Sequence, residues 1–354
     1  MSQPRFTFCI PNLNKIKYLP ACIESVLAQD CKDWRCIIVD GYSTDGSWEY
    51  LQQFATDPRF LIRRGIRQGM YADWNECLKH VETEYFYFLP SDDTCFPALV
   101  ATTTKLLDEH LDISVCHFPF STINEFGETI KSADEMVRSK FERYAGVNQY
   151  AHRRSGLCEF MMQCIYGAMY TSMTSLVFRR NIIEKLNGFK SIYGHAGDFD
   201  WTMRLALITD FVYIPKQLAT WRACENQATN EASLLEYLET VLTITSDNLE
   251  AFMKAEKHNH ISILIRREHL LYTFLNNHAY FLLKESFQVG NLYRRYKLFH
   301  AFLSNYPSYI PKKILNRISF DFLFPRWNQA SLANFYIEKC SLLWPPVQIE
   351  DHIA

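Results

Sequence analysis

Two adjacent carboxylates, Asp92 and Asp93, follow the apolar and aromatic run YFYFLP, which has the composition of a buried strand. Burial of a carboxylate is costly unless something compensates its charge. Oxygen ligands at the end of a strand suit a divalent cation whose remaining coordination sites are filled by a diphosphate. A simple turn or helix cap is the alternative, because Ser91 and the two aspartates are good capping residues and Pro97 follows.

Two further segments carry polar residues that could bind a nucleotide. Asp40 ends the run IIVD, and a carboxylate at such a place can accept hydrogen bonds from a base or ribose, although a turn aspartate explains it as well. The segment RQGMYADWNECL predicts a helix whose N-terminus would favour an anion such as a diphosphate, with Gly69 allowing close backbone approach. An ordinary amphipathic helix that buries Met70 and Trp74 accounts for the same residues.

The segment GHAGDFDWTMRL offers a candidate general base. Asp198 follows Gly194 and Gly197, so a flexible loop could present its carboxylate to a cleft. Asp200 has the position of a first-turn charge that the helix dipole favours. Helix capping is the alternative role for Asp198.

The elements that would position these residues alternate from Phe6 to about Phe118, in the pattern typical of βαβ units on a mainly parallel sheet. The predicted strands are FTFCIP, RCIIVD, RFLIRR, YFYFLP and ISVCHF, and the predicted helices are Tyr18–Ala28, Ser47–Phe54, Met70–Val81 and Pro97–Glu109. An open α/β sheet binds its ligand beyond the carboxyl ends of its strands. We therefore expect Pro11, Asn12, Asp40 and Ser91–Thr94 to be neighbours.

The rest of the chain has a different character. Residues 119 to 160 are polar and irregular, after which TSMTSLVF and FVYIP predict two more strands, with a helix at Arg180–Leu186 and another opening at GDFDWTMRL. Beyond about Ala228 no strand pattern is convincing, and helical stretches rich in Leu, Phe, Tyr and basic residues follow. We therefore predict an α/β domain over 1–227 and a mainly helical region over 228–354.

Composition excludes several classes of protein. The 354 residues carry 37 Lys or Arg against 39 Asp or Glu, a net charge of -2, which is not the signature of a nucleic-acid binder. The 11 cysteines form no CxxC pair and are expected to be reduced thiols. The chain has no HExxH, GxSxG or GxGxxG motif, so metalloprotease, hydrolase and Rossmann dehydrogenase functions lack support. No apolar run reaches the roughly 18 residues that span a bilayer and no signal peptide is evident, so we expect a cytoplasmic protein.

The motifs become specific when they are taken together. In one order the chain has FTFCIPNLNKIKYLPACIESVLAQD, IIVDGYSTDGS, GMYADWNECL, YFYFLPSDDT and NGF with GDFDWTMRL. Over about residues 5 to 222 this set resembles family 2 glycosyltransferases, most closely the bacterial branch that builds capsule, exopolysaccharide or lipopolysaccharide. The resemblance implies the GT-A fold, a Rossmann-like, mostly parallel sheet flanked by helices, here with a mainly helical C-terminal extension.

The resemblance also implies roles for individual residues. Asp93 would bind Mn2+ or Mg2+, Asp92 would contact the ribose or the metal's water shell, and Asp198 would be the catalytic base of an inverting hexosyl transfer. The donor would be a nucleotide-diphospho sugar, with a UDP-sugar expected, and the acceptor would be a glycan or a lipid-linked acceptor. The implied nucleotide-binding residues are Pro11, Asn12, Asp40, Arg67, Gly69, Asn75, Ser91 and Asp92.

The chain departs from the family pattern in three places. Gly197 replaces the acid that usually precedes the base, Ala72 and Asp73 reverse the usual order, and Arg67 stands where an acid is common. A catalytically silent relative that serves as a scaffold or binding subunit is therefore an alternative. There is no QxxRW motif, which argues against a processive polysaccharide synthase. A nucleotidyltransferase is a further alternative, but the first strand is not followed by a Gly-rich, Lys- or Arg-bearing phosphate loop.

The C-terminal third is basic. Residues 251–330 hold 12 Lys or Arg against 4 Asp or Glu, interleaved with aromatic residues. This suits docking on an anionic leaflet, where each basic residue near the surface contributes about 1 kcal/mol. Such docking would place the protein peripherally on the cytoplasmic face of the inner membrane, near a lipid-linked acceptor. The alternative is a helical region that packs on the core or on a second subunit of a homo-oligomer.

Overall fold

The computed structural model describes residues 3–135, 146–170, 172–224, 234–255, 258–305 and 329–350. Its described residues form two compact units. The first unit comprises the described residues within 1–160, 168–227 and 343–354, and the second comprises those within 161–167 and 228–342. These units differ from the predicted division at 227/228 in the two short segments 161–167 and 343–354.

The first unit is built on a nine-stranded mixed sheet with the strand order β13-β9-β11-β6-β10-β4-β1-β2-β3. Strands β1 to β4 are mutually parallel where they pair, whereas β10 runs antiparallel to both β4 and β6. The strands are β1 Phe6–Asn12, β2 Trp34–Asp40, β3 Phe60–Arg64, β4 Tyr85–Phe88, β6 Val115–His117, β9 His152–Arg154, β10 Leu176–Arg179, β11 Phe211–Tyr213 and β13 Val347–Gln348.

A second, four-stranded sheet has the order β5-β12-β7-β8. Its strands are β5 Thr94–Cys95, β7 Phe120–Ile123, β8 Thr129–Lys131 and β12 Ala219–Arg222. The helices of the chain up to residue 206 are α1 Leu19–Leu27, α2 Ser47–Leu51, α3 Met70–Lys79, α4 Leu99–Glu109, α5 Gly156–Tyr166, α6 Ile182–Leu186 and α7 Gly197–Ala206. The predicted α/β fold is confirmed.

Apolar periodicity explains why these elements form. All seven residues of β1 are buried, as expected for a central strand covered on both faces. Helix α1 starts with a proline in its first turn and buries Leu19, Cys22, Ile23 and Val26, an i, i+3, i+4, i+7 stripe. Packing of such stripes on the sheet holds the carboxyl ends of β1 to β4 in fixed register.

The second unit is helical in its described part. Its helices are α8 Leu234–Lys254, α9 Asn259–Ser262, α10 Arg267–Leu270, α11 Tyr272–Gln288, α12 Leu292–Asn305 and α13 Gln329–Lys339. Ala279, Leu282 and Phe302 form a small buried cluster within it. The predicted helical character beyond residue 228 is confirmed for these segments, but Val347–Gln348 is a strand that pairs with β9. Two residues are too few to show an alternating pattern in the sequence.

Candidate active site

The carboxyl ends of β1, β2 and β3 bring the predicted nucleotide-binding residues together. Asn12 lies opposite Asp40 across the β1–β2 pair, and Asp40 lies opposite Arg64 across the β2–β3 pair. Pro11 is buried within β1. The loop after each of these three strands also contains a non-glycine residue with positive φ: Asn14, Tyr42 and Arg67. Such strained conformations concentrate at functional sites.

Asp40 is the centre of a saturated hydrogen-bond network. Its Oδ2 accepts from Asn12 Nδ2 at 2.8 Å and from Ser43 Oγ at 2.7 Å. Its Oδ1 accepts from the Ser43 amide at 2.9 Å and from Arg64 Nη1. These four contacts use the four lone pairs of a carboxylate. A base or ribose that binds Asp40 must therefore replace one of them.

Asp73, noted in the sequence only for its reversed order with Ala72, has a carboxylate that lies against Gly41 and Gly65 in the loops after β2 and β3. Its side chain is 4% exposed, and its Oδ1 accepts no hydrogen bond within the part of the chain that is described. A methyl group at Gly65 would lie 2.1 Å from this oxygen, and one at Gly41 would lie 3.3 Å from Oδ2. Burial, together with the charges of Asp40 and Glu76, raises the pKa of Asp73 to about 6.

The two aspartates after β4 have different environments. Asp92 pairs with Lys15 Nζ at 2.8 Å and is partly exposed. Asp93 is buried, and its oxygens accept from Thr174 Oγ1 at 2.5 Å and from the Arg222 amide at 2.8 Å. Burial and the neighbouring charge of Asp92 raise the pKa of Asp93 well above its usual range.

This aspartate pair fits a divalent cation only in part. Among the described residues no third His, Cys, Asp or Glu joins the two carboxylates to form a metal-binding group. Each oxygen of Asp93 accepts one hydrogen bond, which leaves it one lone pair. A buried carboxylate of this kind is a hard oxygen ligand, so a cation that takes its other ligands from a diphosphate and water suits the donor set.

Asp198 stands in the first turn of α7, where its Oδ1 accepts from the Phe199 amide at 2.8 Å. It is half-buried, and burial raises its pKa to about 6 against the opposing effect of hydrogen bonds from the Phe199 amide and the Tyr71 hydroxyl. A carboxylate with a pKa near 6 is poised to accept a proton at neutral pH. Asp200, by contrast, is fully buried and pairs with Arg204 at 2.7 Å.

Tyr71 explains why glycine precedes the candidate base. A methyl group at Gly197 would lie 2.9 Å from two carbons of the Tyr71 ring, so the usual larger acid does not fit here. The Tyr71 hydroxyl oxygen lies 3.1 Å from the carbonyl oxygen of His195, and the Tyr71 ring stacks on Phe189 with centroids 5.2 Å apart. The unusual glycine is thus a consequence of local packing.

The remaining predicted residues are distributed as follows. Gly69 has φ 89° and precedes α3, and Ser91 is buried beside Asp92. Arg67 is exposed, with its guanidinium 4.9 Å from the centroid of the Tyr42 ring. Asn75 uses both ends of its amide on the Phe189 backbone, at 2.9 and 2.7 Å. These two hydrogen bonds link α3 to the turn at Phe189.

Comparison with known proteins gives consistent matches. A family model described as Glycosyl transferase family 2 matches residues 7–172. A PGL/p-HBAD biosynthesis glycosyltransferase of Mycobacterium tuberculosis is 34% identical over 221 residues, which are 60% of this chain and 76% of that protein. A putative colanic acid biosynthesis glycosyl transferase of Escherichia coli, WcaA, is 36% identical over 100 residues, which are 27% of this chain and 35% of that protein.

Among solved structures, S. aureus TarS 1–349 in complex with UDP-GlcNAc has a TM-score of 0.62 to this chain. The match covers 95% of this chain and 88% of that one at 17% sequence identity, so it is a likeness of fold.

Proposed function

The chain belongs to the family 2 glycosyltransferases, and from that membership we propose that it extends a bacterial surface glycan from a nucleotide-diphospho sugar. The acceptor is a hydroxyl of a glycan or of a lipid-linked sugar. The observation that carries the proposal is the placement of Asp198: a half-buried carboxylate in the first turn of α7, whose Oδ1 accepts a hydrogen bond from the Phe199 amide at 2.8 Å.

Asp198 would act as the general base. It would remove the proton of the acceptor hydroxyl while that oxygen forms a bond to the anomeric carbon of the donor. The bond from this carbon to the diphosphate breaks on the opposite face, which inverts the configuration. A base with a pKa near 6 is mostly ionised at pH 7, so it is ready to accept a proton.

The strand-end residues would hold the donor. Asn12 and Asp40 would bind the nucleoside, Asp93 would hold Mn2+ or Mg2+, and Asp92 would contact the ribose or the metal's water shell. When bound, such an ion neutralises the charge that develops on the leaving diphosphate. Lys15, which contacts Asp92 at 2.8 Å, supplies a further positive charge at the same place.

A UDP-sugar is the first donor to test. The support is the structure of TarS, a protein of similar fold that was solved with UDP-GlcNAc. The alternative of a catalytically silent subunit rested on the missing acid at position 197, and that glycine has a packing explanation in the contact with Tyr71.

We also propose that the protein works on the cytoplasmic face of the membrane through its basic helix α12. Leu292, Tyr293 and Tyr296 are exposed there beside Arg294 and Lys297, and α12 contains no acidic residue. This mixture of exposed aromatic and basic side chains suits an anionic lipid surface. None of the helices in the described ranges has the length and apolarity to cross a membrane.

The proposed function is tested with a panel of nucleotide sugars in the presence of Mn2+, Mg2+ or EDTA. We expect one donor to release nucleoside diphosphate in a metal-dependent manner, and Asp93→Ala to abolish the release. If the folded protein neither binds nor consumes any donor with metal present, the scaffold alternative replaces the enzyme. Release of pyrophosphate in place of nucleoside diphosphate would indicate a nucleotidyltransferase.

A further inference from the structure

Tyr42 has a backbone conformation that its residue type disfavours. It follows Asp40 and Gly41 at the end of β2 and has φ 67°. A bulky residue in this region is a genuine outlier, whereas glycine adopts it without strain. Strain of this kind persists where the surrounding structure or a function demands that particular side chain.

The ring of Tyr42 is exposed in spite of its apolar surface. The residue is 43% exposed, with the guanidinium carbons of Arg64 and Arg67 at 5.1 and 4.9 Å from the ring centroid. Arg67 Nη2 also donates to the Tyr42 carbonyl at 3.4 Å. The two cations hold the ring in place and leave part of it open to solvent.

Two unsatisfied hydrogen-bond acceptors lie close to this loop. Asn12, which is 1% exposed, is bonded through Nδ2 to Ser43 Oγ at 3.2 Å, the residue after Tyr42. Its Oδ1 is buried and accepts no hydrogen bond from any described residue. The same holds for Oδ1 of Asp73, whose other oxygen, Oδ2, would lie 3.3 Å from a methyl group at Gly41. Buried acceptors without donors are rare and call for an explanation. A nucleobase carries N–H groups of the kind that could satisfy them.

We propose that Tyr42 is a nucleotide-binding residue whose ring stacks on the nucleobase of the donor. This inference rests on the proposed function, because it assumes a nucleoside diphosphate at the strand ends. Stacking on an aromatic side chain covers apolar surface of both rings and tolerates different bases. It gives a reason for an exposed aromatic ring at a position where the backbone favours glycine.

The test compares nucleotide affinity with pyrophosphate affinity. UDP, GDP, CDP and dTDP, and inorganic pyrophosphate, are titrated by calorimetry into wild type, Tyr42→Gly and Tyr42→Phe. We expect Tyr42→Gly to weaken the best nucleotide about tenfold or more, as loss of a base–aromatic stack does. Pyrophosphate binding and the thermal midpoint should not fall, because glycine relieves the strain. Tyr42→Phe should bind as the wild type does.

Asn187→Gly is the matched control. Asn187 also has positive φ, 52°, at the end of α6, so the substitution places glycine at a left-handed position without touching the strand-end loops. Nucleotide affinity should be unchanged. If Tyr42→Gly fails to fold, Tyr42→Leu is compared with Tyr42→Phe, and equal nucleotide affinity of these two overturns the inference.

The outcomes separate the two proposals. Absence of binding of every nucleotide to the folded wild type refutes the proposed function. Wild-type binding with unchanged nucleotide affinity in Tyr42→Gly overturns the role of Tyr42 alone. Equal losses for nucleotide and pyrophosphate also overturn it, because the ring would then only support the loop.

Discussion

Replacing Asp73 by Asn should stabilise the protein at neutral pH. Burial raises the pKa of the Asp73 carboxyl from 3.8 to about 6. The folded state therefore keeps a proton between pH 4 and 6 that the unfolded state releases, and stability falls as the pH rises through this window. A shift of about two pKa units corresponds to about 3 kcal/mol at pH 7.5. Asparagine has no charge to bury, so Asp73→Asn should recover up to this amount.

Urea unfolding between pH 4 and 8, followed by a signal from the first unit, measures the difference in the free energy of unfolding between Asp73→Asn and wild type. Wild type and Asp73→Asn should coincide near pH 4 and separate as the pH rises to about 7. Asp45→Asn is a control of opposite sign, because hydrogen bonds from the Ile16 and Ser47 amides outweigh burial and lower the pKa of Asp45. It should destabilise at neutral pH and lose its effect as the pH falls. An Asp73→Asn variant that is no more stable than wild type at pH 7.5, or a gain that does not vary with pH, would refute the reasoning.

Three further predictions concern the base and the membrane. Gly197→Ala should lower turnover tenfold or more with nucleotide binding retained, because the methyl group would lie 2.9 Å from the Tyr71 ring. Steady-state kinetics measure the loss of turnover, and a UDP titration measures nucleotide binding. Tyr71→Phe should move the acid limb of the pH profile of kcat/KM to higher pH, since its hydroxyl lowers the pKa of Asp198. Arg294→Glu with Lys297→Glu should weaken sedimentation with anionic vesicles about tenfold or more and leave neutral vesicles unaffected.

Much of the fold follows from hydrophobic pattern. Predicted strands and observed β1 to β4 agree to within two residues, and the GT-A fold and the family were both predicted correctly from the ordered motifs. Helix α5 and six short strands were not predicted: β5, β7, β8, β9, β12 and β13. These strands have two to four residues, too few for alternation to be visible, and long-range pairing decides where they form.

The site was less accessible to sequence reasoning. The motifs indicated the segments of Asp40, Asp93 and Asp198, since residue order carries that information. Contacts between different strand-end loops decide that Arg64 donates a hydrogen bond to Asp40 and that Tyr42 has positive φ. Such contacts leave no periodic signal along the chain. The sequence showed Asp73 only through its reversed order with Ala72. The structure adds that its Oδ1 accepts no hydrogen bond from any described residue.

The most direct test of the account is the kinetics of Asp198→Asn with the donor that the panel identifies. Asparagine preserves the shape of the side chain but cannot accept the proton of the acceptor hydroxyl. The expected result is an unchanged nucleotide affinity with a kcat that falls at least about 100-fold, the usual contribution of a general base. A variant that keeps wild-type kcat over the pH range 5 to 8 would contradict it, and another residue would then have to be the base.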